Sequence, residues 1–149
     1  MNRASIDTSV LIEYINLAGS LHKEAKAVIQ SVLDGKIIAV IPHPVLAETY
    51  YVSVITYEKH NLTNPEQRAK NFVEWIYRSP NFSIAEPSLE LAILAGRIKR
   101  KFNLALTDAY VLASAKLYKA KAVFRSKEKE IADKLEDITK EYDVVFLEQ

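Results

Sequence analysis

The chain contains no cysteine and only three glycines among its 149 residues. The absence of cysteine excludes disulfides, thiolate catalysis and the usual cysteine-ligated zinc sites. Gly19, Gly35 and Gly96 are far apart, so a glycine-rich phosphate-binding loop is also excluded. Any phosphate or metal chemistry must therefore come from other side chains.

The chain also lacks an excess of charge of either sign. Twenty basic and nineteen acidic residues give a net charge of +1, so any attraction to nucleic acid must come from a local patch. One basic cluster closes a predicted helix. Cations are typical of helix C-termini and solvated faces, so phosphate binding is the less favoured interpretation of this cluster. Its members are Arg97, Lys99, Arg100 and Lys101.

No targeting or membrane-spanning pattern is visible. The N-terminus lacks a basic segment followed by an apolar run and a cleavage site. The most apolar stretch, residues 37–57, is interrupted by Pro42, His43, Pro44 and Glu48, whereas a membrane span needs about 20 predominantly apolar residues. We expect a cytoplasmic protein without a membrane segment, folded as a single domain over residues 1–149.

Short strand-like runs alternate with helical patterns along most of the chain. Unalternating runs such as 36–41 are typical of strands covered on both faces. The alternation predicts an α/β fold, a three-layer α/β/α sandwich with a mainly parallel central sheet. The predicted strands are 3–6, 36–41, 81–85, 122–124 and 142–147. The predicted helices are 21–32, 45–55, 64–79, 87–102, 108–115 and 127–137, and the apolar run after Asp7 is predicted to be a short turn.

Asp7 ends the first predicted strand and is followed by Thr8 and Ser9. Ligands of parallel sheets collect beyond the carboxyl ends of the strands, so Asp7 is placed where a site is expected. Asp, Thr and Ser are also good helix caps and turn formers. Capping and site membership therefore both stay open for Asp7.

Glu48 is the only charged residue between Ile37 and Tyr57, in a predicted helix that is apolar nearly all round. Such a helix is typically buried, and a buried carboxylate needs a partner or a metal. The alternative is a neutral or salt-bridged glutamate at a dimer interface.

Asp108 is the only charged residue between Lys101 and Lys116. We expect Thr107 to cap the helix and to place Asp108 in its first turn, where the helix dipole favours an acid. Asp108 also begins the apolar stripe of this helix and should point with it toward the sheet.

If Asp7, Glu48 and Asp108 converge, each pair of charges about 5 Å apart repels by roughly 3 kcal/mol at an effective dielectric near 20. An oxygen-only ligand set selects Mg²⁺ or Mn²⁺, which can orient a phosphodiester and activate water for in-line attack. An aspartyl-phosphate mechanism fits less well, since Ser9 stands where Asp-x-Asp would place the second acid. The histidines show no paired metal spacing, and we interpret His22, His43 and His60 as structural or exposed.

Three segments resemble the main motifs of the PIN domain family, particularly the VapC-type toxins of toxin–antitoxin pairs. They are residues 6–12, 46–48 and 106–115, and the resemblance spans nearly the whole chain. It implies a Mg²⁺- or Mn²⁺-dependent endoribonuclease, usually a homodimer, held inactive by a small antitoxin. It also implies that Asp7, Glu48 and Asp108 are the catalytic metal-site acids. Thr8, Ser9 and Thr107 are implied as residues that orient them.

One position departs from the family pattern. A further acid commonly follows the fourth strand, and Ser126 occupies that position here, while Glu128 stands two residues on as a substitute. The alternative function is therefore a catalytically degenerate PIN-like module that binds RNA or protein without turnover.

Aromatic residues crowd into two successive predicted helices. Aromatics favour interfaces, which predicts a homodimer and a groove for an antitoxin segment, although buried helices also carry aromatics. The six residues are Tyr50, Tyr51, Tyr57, Phe72, Trp75 and Tyr77.

Overall fold

A computed structural model describes residues 2–148 of the chain. Five strands form one sheet in the order β3-β2-β1-β4-β5, and every neighbouring pair is parallel. The strands are β1 (Asn2–Ile6), β2 (Ile37–Pro42), β3 (Phe82–Ala85), β4 (Lys121–Phe124) and β5 (Val144–Phe146). The predicted parallel α/β fold is confirmed.

Seven helices complete the three-layer α/β/α arrangement of residues 2–148. Helices α5 and α6 pack on each other, and α6 lies against β1, β2 and β4; α2 packs on β2, and α1 packs on β4. The helices are α1 (Thr8–Ile15), α2 (His22–Leu33), α3 (His43–Lys59), α4 (Pro65–Arg78), α5 (Leu89–Phe102), α6 (Leu106–Leu117) and α7 (Lys129–Glu141).

The strand order reverses between β1 and β4. From β1 the chain proceeds outward to β2 and β3, and it later returns beside β1 to form β4 and then β5. A crevice is expected beyond the carboxyl ends of the strands at such a switch point. The residues that follow β1 and β4 therefore flank the expected binding position.

Local signals define several helix ends. Gly35 follows α2 with φ of +76°, a conformation that glycine adopts without strain, and its N–H donates to the Val32 carbonyl. Ser88 caps α5 by accepting a hydrogen bond from the Leu91 N–H. These caps end or begin the helices next to β2 and β3, close to the predicted boundaries.

The core fixes α6 on the sheet. The Ser5 hydroxyl of β1 donates to the Val111 carbonyl of α6 at 2.8 Å, and both are buried. The apolar stripe of α6 is buried against the same strands, as the sequence predicts. The largest fully buried side chains include Ile6, Leu11, Ile41, Ile98, Leu104 and Leu112.

Two predictions of local structure are wrong, and two helices have other bounds than predicted. Residues 8–15 form the helix α1 and not a short turn. Helices α3 (His43–Lys59) and α7 (Lys129–Glu141) were predicted at 45–55 and 127–137. Thr107 does not cap α6, because the helix already begins at Leu106 and Ala105 occupies the cap position without a side-chain hydrogen bond. Asp108 nevertheless lies in the first turn, as predicted.

The aromatic residues divide between the core and the surface. The rings of Phe72 and Trp75 stack on each other and on Tyr14 of α1. Tyr50, Tyr51 and Tyr77 are exposed, the last two by more than half. Helix α3 is therefore not buried all round, which corrects the interpretation of its apolar composition.

In the part of the chain that the structure describes, none of the helices combines the length and the apolar character needed to cross a bilayer.

Candidate active site

A cleft of about 500 Å³ opens at the carboxyl ends of β1 and β4. Asp7 reaches it from the end of β1, Ser9 from the first turn of α1, Glu48 from α3, and Asp108 from α6. Arg125, Ser126 and Glu128 reach it from the segment after β4. The three acids predicted from the sequence thus line one cleft at the switch point of the sheet.

The Asp7 carboxylate is held in a fixed orientation by Ser9. Its Oδ2 accepts hydrogen bonds from the Ser9 N–H at 3.0 Å and from the Ser9 hydroxyl at 2.6 Å. Its Oδ1 is buried and has no hydrogen-bond partner within residues 2–148. Asp7 is therefore both the cap of α1 and a buried acid with one unpaired oxygen.

Burial raises the pKa of Asp7 from 3.8 to about 6. The hydrogen bonds from Ser9 oppose this effect because they favour the charged form, while the negative charge of Glu48 adds to it. An ionised Asp7 is thus costly without a nearby cation.

Asp108 is half-buried, and its pKa is raised further, to about 7. Burial is the largest cause, and the charges of Asp7, Glu128 and Glu48 follow in that order. The acids at the cleft therefore repel one another, which is the situation that a bound cation would relieve.

The donor set fits a hard divalent cation in its chemistry. The acidic side chains at the cleft offer only oxygen atoms as metal ligands. Among residues 2–148, no group donates a hydrogen bond to the buried Asp7 Oδ1. Within residues 2–148, however, no three His, Asp or Glu side chains are gathered closely enough to form a ready ligand cage. Mg²⁺ does not require such a cage, since it commonly keeps several waters and uses one or two carboxylates.

The remaining predicted residues have different positions. Thr8 is buried beside Asp7, lines the cleft, and has an unpaired hydroxyl among the described residues. Ser126 is half-buried at the cleft wall, while Glu128 is exposed at its rim. Thr107 is half-buried next to Asp108 and is not among the described residues that line the cleft.

The other residues singled out in the sequence lie outside the cleft. His43 and His60 are exposed, and the His22 ring contacts the Glu13 carbonyl. In the basic cluster, Lys99 Nζ donates to the Leu104 carbonyl and Lys101 pairs with Glu141. Half of this cluster is therefore engaged in holding α5 to its neighbours.

Two residues that line the cleft, Glu13 and Arg125, are not predicted as site residues from the sequence. Glu13 of α1 is almost fully buried and forms an ion pair with Arg125, and its Oε1 accepts from the Leu21 N–H at 3.0 Å. The backbone N–H of Arg125 donates a hydrogen bond to the Ser9 hydroxyl at 3.0 Å. The pair thus connects the segment after β4 to α1 and, through Ser9, to Asp7.

Gly19 leaves the space that Glu13 occupies. A Cβ at this position would lie 1.9 Å from Glu13 Oε1 and 3.0 Å from the Asn16 carbonyl oxygen. Since Glu13 is held by both Leu21 and Arg125, its carboxylate cannot move aside without losing these bonds.

A helical interpretation of residues 8–15 would have identified Glu13. Residues four apart share one face of a helix, so Ser9 and Glu13 point to the same side. A turn at residues 8–15 would not place the two side chains on the same side. Arg125 adjoins Ser126, but nothing local to the sequence indicates that it folds back on α1.

The chain matches the PIN domain family over residues 4–136 and belongs to that family. It is similar to several solved structures. VapC20 of Mycobacterium tuberculosis, a sarcin–ricin-loop-cleaving toxin, superposes with a TM-score of 0.67 at 15% identity, over 89% of this chain and 95% of that one.

Two further solved structures are similar over nearly their whole lengths. A toxin–antitoxin complex from Klebsiella pneumoniae gives a TM-score of 0.60 at 20% identity, covering 100% of this chain and 99% of that chain. FitAcB from Neisseria gonorrhoeae gives 0.59 at 18% identity, covering 97% of both chains. At these identities the likeness shows a shared fold. No curated protein matches the chain significantly.

Proposed function

We propose that this chain is a Mg²⁺- or Mn²⁺-dependent endoribonuclease and the toxin of a toxin–antitoxin pair, acting as a single cytoplasmic PIN domain over residues 1–149. The observation that carries the proposal is Asp7 Oδ1, which is buried without a hydrogen-bond partner among the described residues, in a cleft lined by further acids. Membership of the PIN family and the VapC-like structural neighbours support the same activity.

The proposed site acids are Asp7, Glu48 and Asp108. Ser9 fixes Asp7 Oδ2, while Oδ1 is buried without a hydrogen-bond partner among residues 2–148. Ser5 fixes α6 on β1 and thereby sets the position of Asp108 at the start of that helix. Thr8, Ser126 and Glu128 line the same cleft, and Thr107, next to Asp108, is proposed to orient that acid.

A bound Mg²⁺ or Mn²⁺ would polarise the phosphodiester and lower the pKa of a coordinated water. The chain itself supplies the acids that would hold the cation and a cleft of about 500 Å³ around them.

The test is cleavage of mixed RNA in the presence of Mn²⁺ by the wild type and by Asp7→Asn. We expect cleavage by the wild type that is lost in the variant and in chelator. Equal degradation by both proteins would mean contamination and would remove the proposed activity.

Ser126 favours one alternative, a PIN-like module that binds RNA or protein without turnover. The variant Ser126→Asp separates the two functions. A large gain of cleavage from an inactive wild type supports the degenerate module, whereas an active wild type that gains nothing excludes it.

The proposed partners are RNA, a second copy of the chain and a small antitoxin protein. A groove lined by Tyr14, Tyr57, Phe72 and Trp75, with Arg68 at its edge, supports a site for an antitoxin segment. The exposed rings of Tyr51 and Tyr77 support an interface on α3 and α4.

Two measurements test these partners. A strictly monomeric species in light scattering at high micromolar concentration would exclude the homodimer. For the antitoxin, we expect a small open reading frame beside the gene, and co-expression of its product should suppress cleavage.

A further inference from the structure

The charges of the residues that line the cleft are unfavourable for binding RNA. Five of the fifteen described residues that line it are acids, Asp7, Glu13, Glu48, Asp108 and Glu128, while Arg125 is the one basic residue among them. A phosphodiester backbone is repelled by such a surface. Apart from a bound cation, the attraction for a phosphate inside the cleft must come from Arg125.

The Arg125 guanidinium is held in place, but not all of its N–H groups are engaged by residues 2–148. Its Nε donates to Glu13 Oε2, Nη2 donates to the Ser20 hydroxyl at 3.2 Å, and Nη1 makes a long contact of 3.4 Å with the Ser126 hydroxyl. Arginine has five N–H donors, so two remain without a partner among residues 2–148. The side chain is 33% exposed, so the guanidinium is accessible to a ligand from the cleft.

Ser126 leaves the N–H groups of the Arg125 guanidinium available to a ligand. A carboxylate at position 126 would lie next to Nη1 and would form a second ion pair with the guanidinium, because arginine binds carboxylates through paired N–H donors. The serine hydroxyl makes only a long contact there. The departure from the family pattern thus leaves Arg125 neutralised by one carboxylate and not two.

We propose that Arg125 binds a backbone phosphate of single-stranded RNA in the cleft, with Glu13 and Ser20 orienting its guanidinium. This inference rests on the proposed RNA substrate. The phosphate is then bound by the side chain of Arg125 and not through the acids that are proposed to hold the metal.

The experiment measures the binding of a short fluorescein-labelled RNA of mixed sequence by anisotropy, in chelator, so that cleavage does not interfere. We expect Arg125→Gln to raise the dissociation constant about tenfold or more, because a charge-assisted hydrogen bond to phosphate is lost. The salt dependence should also weaken by about 0.7 in log–log slope, the value for one phosphate contact in a single strand.

Two matched variants distinguish this role from others. Arg100→Gln removes the same charge from the exposed end of α5, outside the cleft, and should leave binding nearly unchanged. Glu13→Gln keeps an acceptor for the Leu21 N–H but leaves Arg125 Nε without its carboxylate, so it should weaken binding less than Arg125→Gln, which removes the charge itself. A purely structural ion pair would instead make Glu13→Gln and Arg125→Gln equally harmful.

A fourth variant guards against misfolding. Arg125→Lys keeps the charge and the pairing with Glu13 but loses the free N–H fork, so the dissociation constant should rise several-fold while the thermal melt stays close to wild type. Unchanged binding by Arg125→Gln, or an equal loss in Arg100→Gln, overturns the inference while a cleaving wild type leaves the proposed function standing. A wild type that neither binds nor cleaves RNA removes both.

Discussion

The sheet has a cleft at each end, and the two clefts differ in charge more than in size. The cleft at the carboxyl end measures about 500 Å³ and carries five acids and one arginine. The cleft at the amino end measures about 610 Å³ and carries Arg3, Lys119 and Lys121 with one acid, Asp143. The smaller cleft is the one that concentrates acidic side chains from both sides of the switch point.

The two clefts also differ in how well their polar groups are satisfied. Among the described residues, the carboxyl-end cleft contains three buried polar atoms without partners, which belong to Asp7, Thr8 and Asn16. None of the described residues lining the amino-end cleft has one. Three further atoms of this kind, on Thr49, Ser53 and Ser114, belong to residues that line neither cleft, so the contrast holds between the two clefts and not over the whole fold.

The largest expected difference between the ends is in RNA cleavage. Asp7→Asn or Asp108→Asn should lower the rate at least 100-fold, because each removes a charge that is proposed to hold the cation and a metal contributes several kcal/mol to the reaction. Asp143→Asn makes the same change at the amino end and should retain the wild-type rate. Initial rates at saturating Mn²⁺ measure this, and comparable losses at both ends would break the comparison.

The second difference is in the pH dependence of stability without metal. The raised pKa values mean that native Asp7 and Asp108 bind protons that the unfolded chain has already released. Stability should therefore fall as pH rises from about 4 to about 7, and a two-unit shift such as that of Asp7 corresponds to about 3 kcal/mol.

Urea unfolding in chelator between pH 4 and pH 8 measures this dependence. Asp7→Asn should flatten it, whereas Asp143→Asn should not. If the two variants show the same pH profile, the buried acids do not dominate the stability of the metal-free protein.

A third prediction concerns Gly19 and Gly96, which differ in the space around them. Gly19→Ala should destabilise the fold by about 1–3 kcal/mol, because its Cβ would displace Glu13 from Leu21 and Arg125. Gly96→Ala, on the open surface of α5, should instead stabilise it by about 0.5–1 kcal/mol through helix propensity. Chemical denaturation of both variants at one pH measures the contrast, and a neutral Gly19→Ala would show that Glu13 is free to move.

The smallest expected effect is on metal binding. Mn²⁺ at 10 to 30 times its dissociation constant should stabilise the wild type by about 1–2 kcal/mol, and Asp7→Asn should reduce this gain. Without metal, Asp7→Asn should melt at the same or a higher temperature, since asparagine also caps helices and removes a repelling charge. Thermal melts with chelator and with Mn²⁺ test both points, and an identical metal response in the two proteins would remove Asp7 from the site.

The sequence predicts the sheet because its strands are short, apolar and bounded by glycine, proline or polar residues. It also places the acids, since Asp7 and Asp108 adjoin strand ends or helix starts whose positions follow from the pattern. It fails at residues 8–15, where eight residues and one capping aspartate give too little periodicity to separate a short helix from a turn. The Glu13–Arg125 pair joins residues 112 apart, and no local pattern reports such a contact.

The hydrogen bond from the Arg125 backbone to Ser9 has a consequence for the synthesis of the protein. It joins residues 116 apart, so Asp7 leaves the ribosome long before the strand that completes its surroundings. At 5 to 20 residues per second, the interval is on the order of ten seconds. A nascent chain carries the first acid throughout this time but has no cleft, and any nuclease activity must begin only when synthesis of the domain is nearly finished.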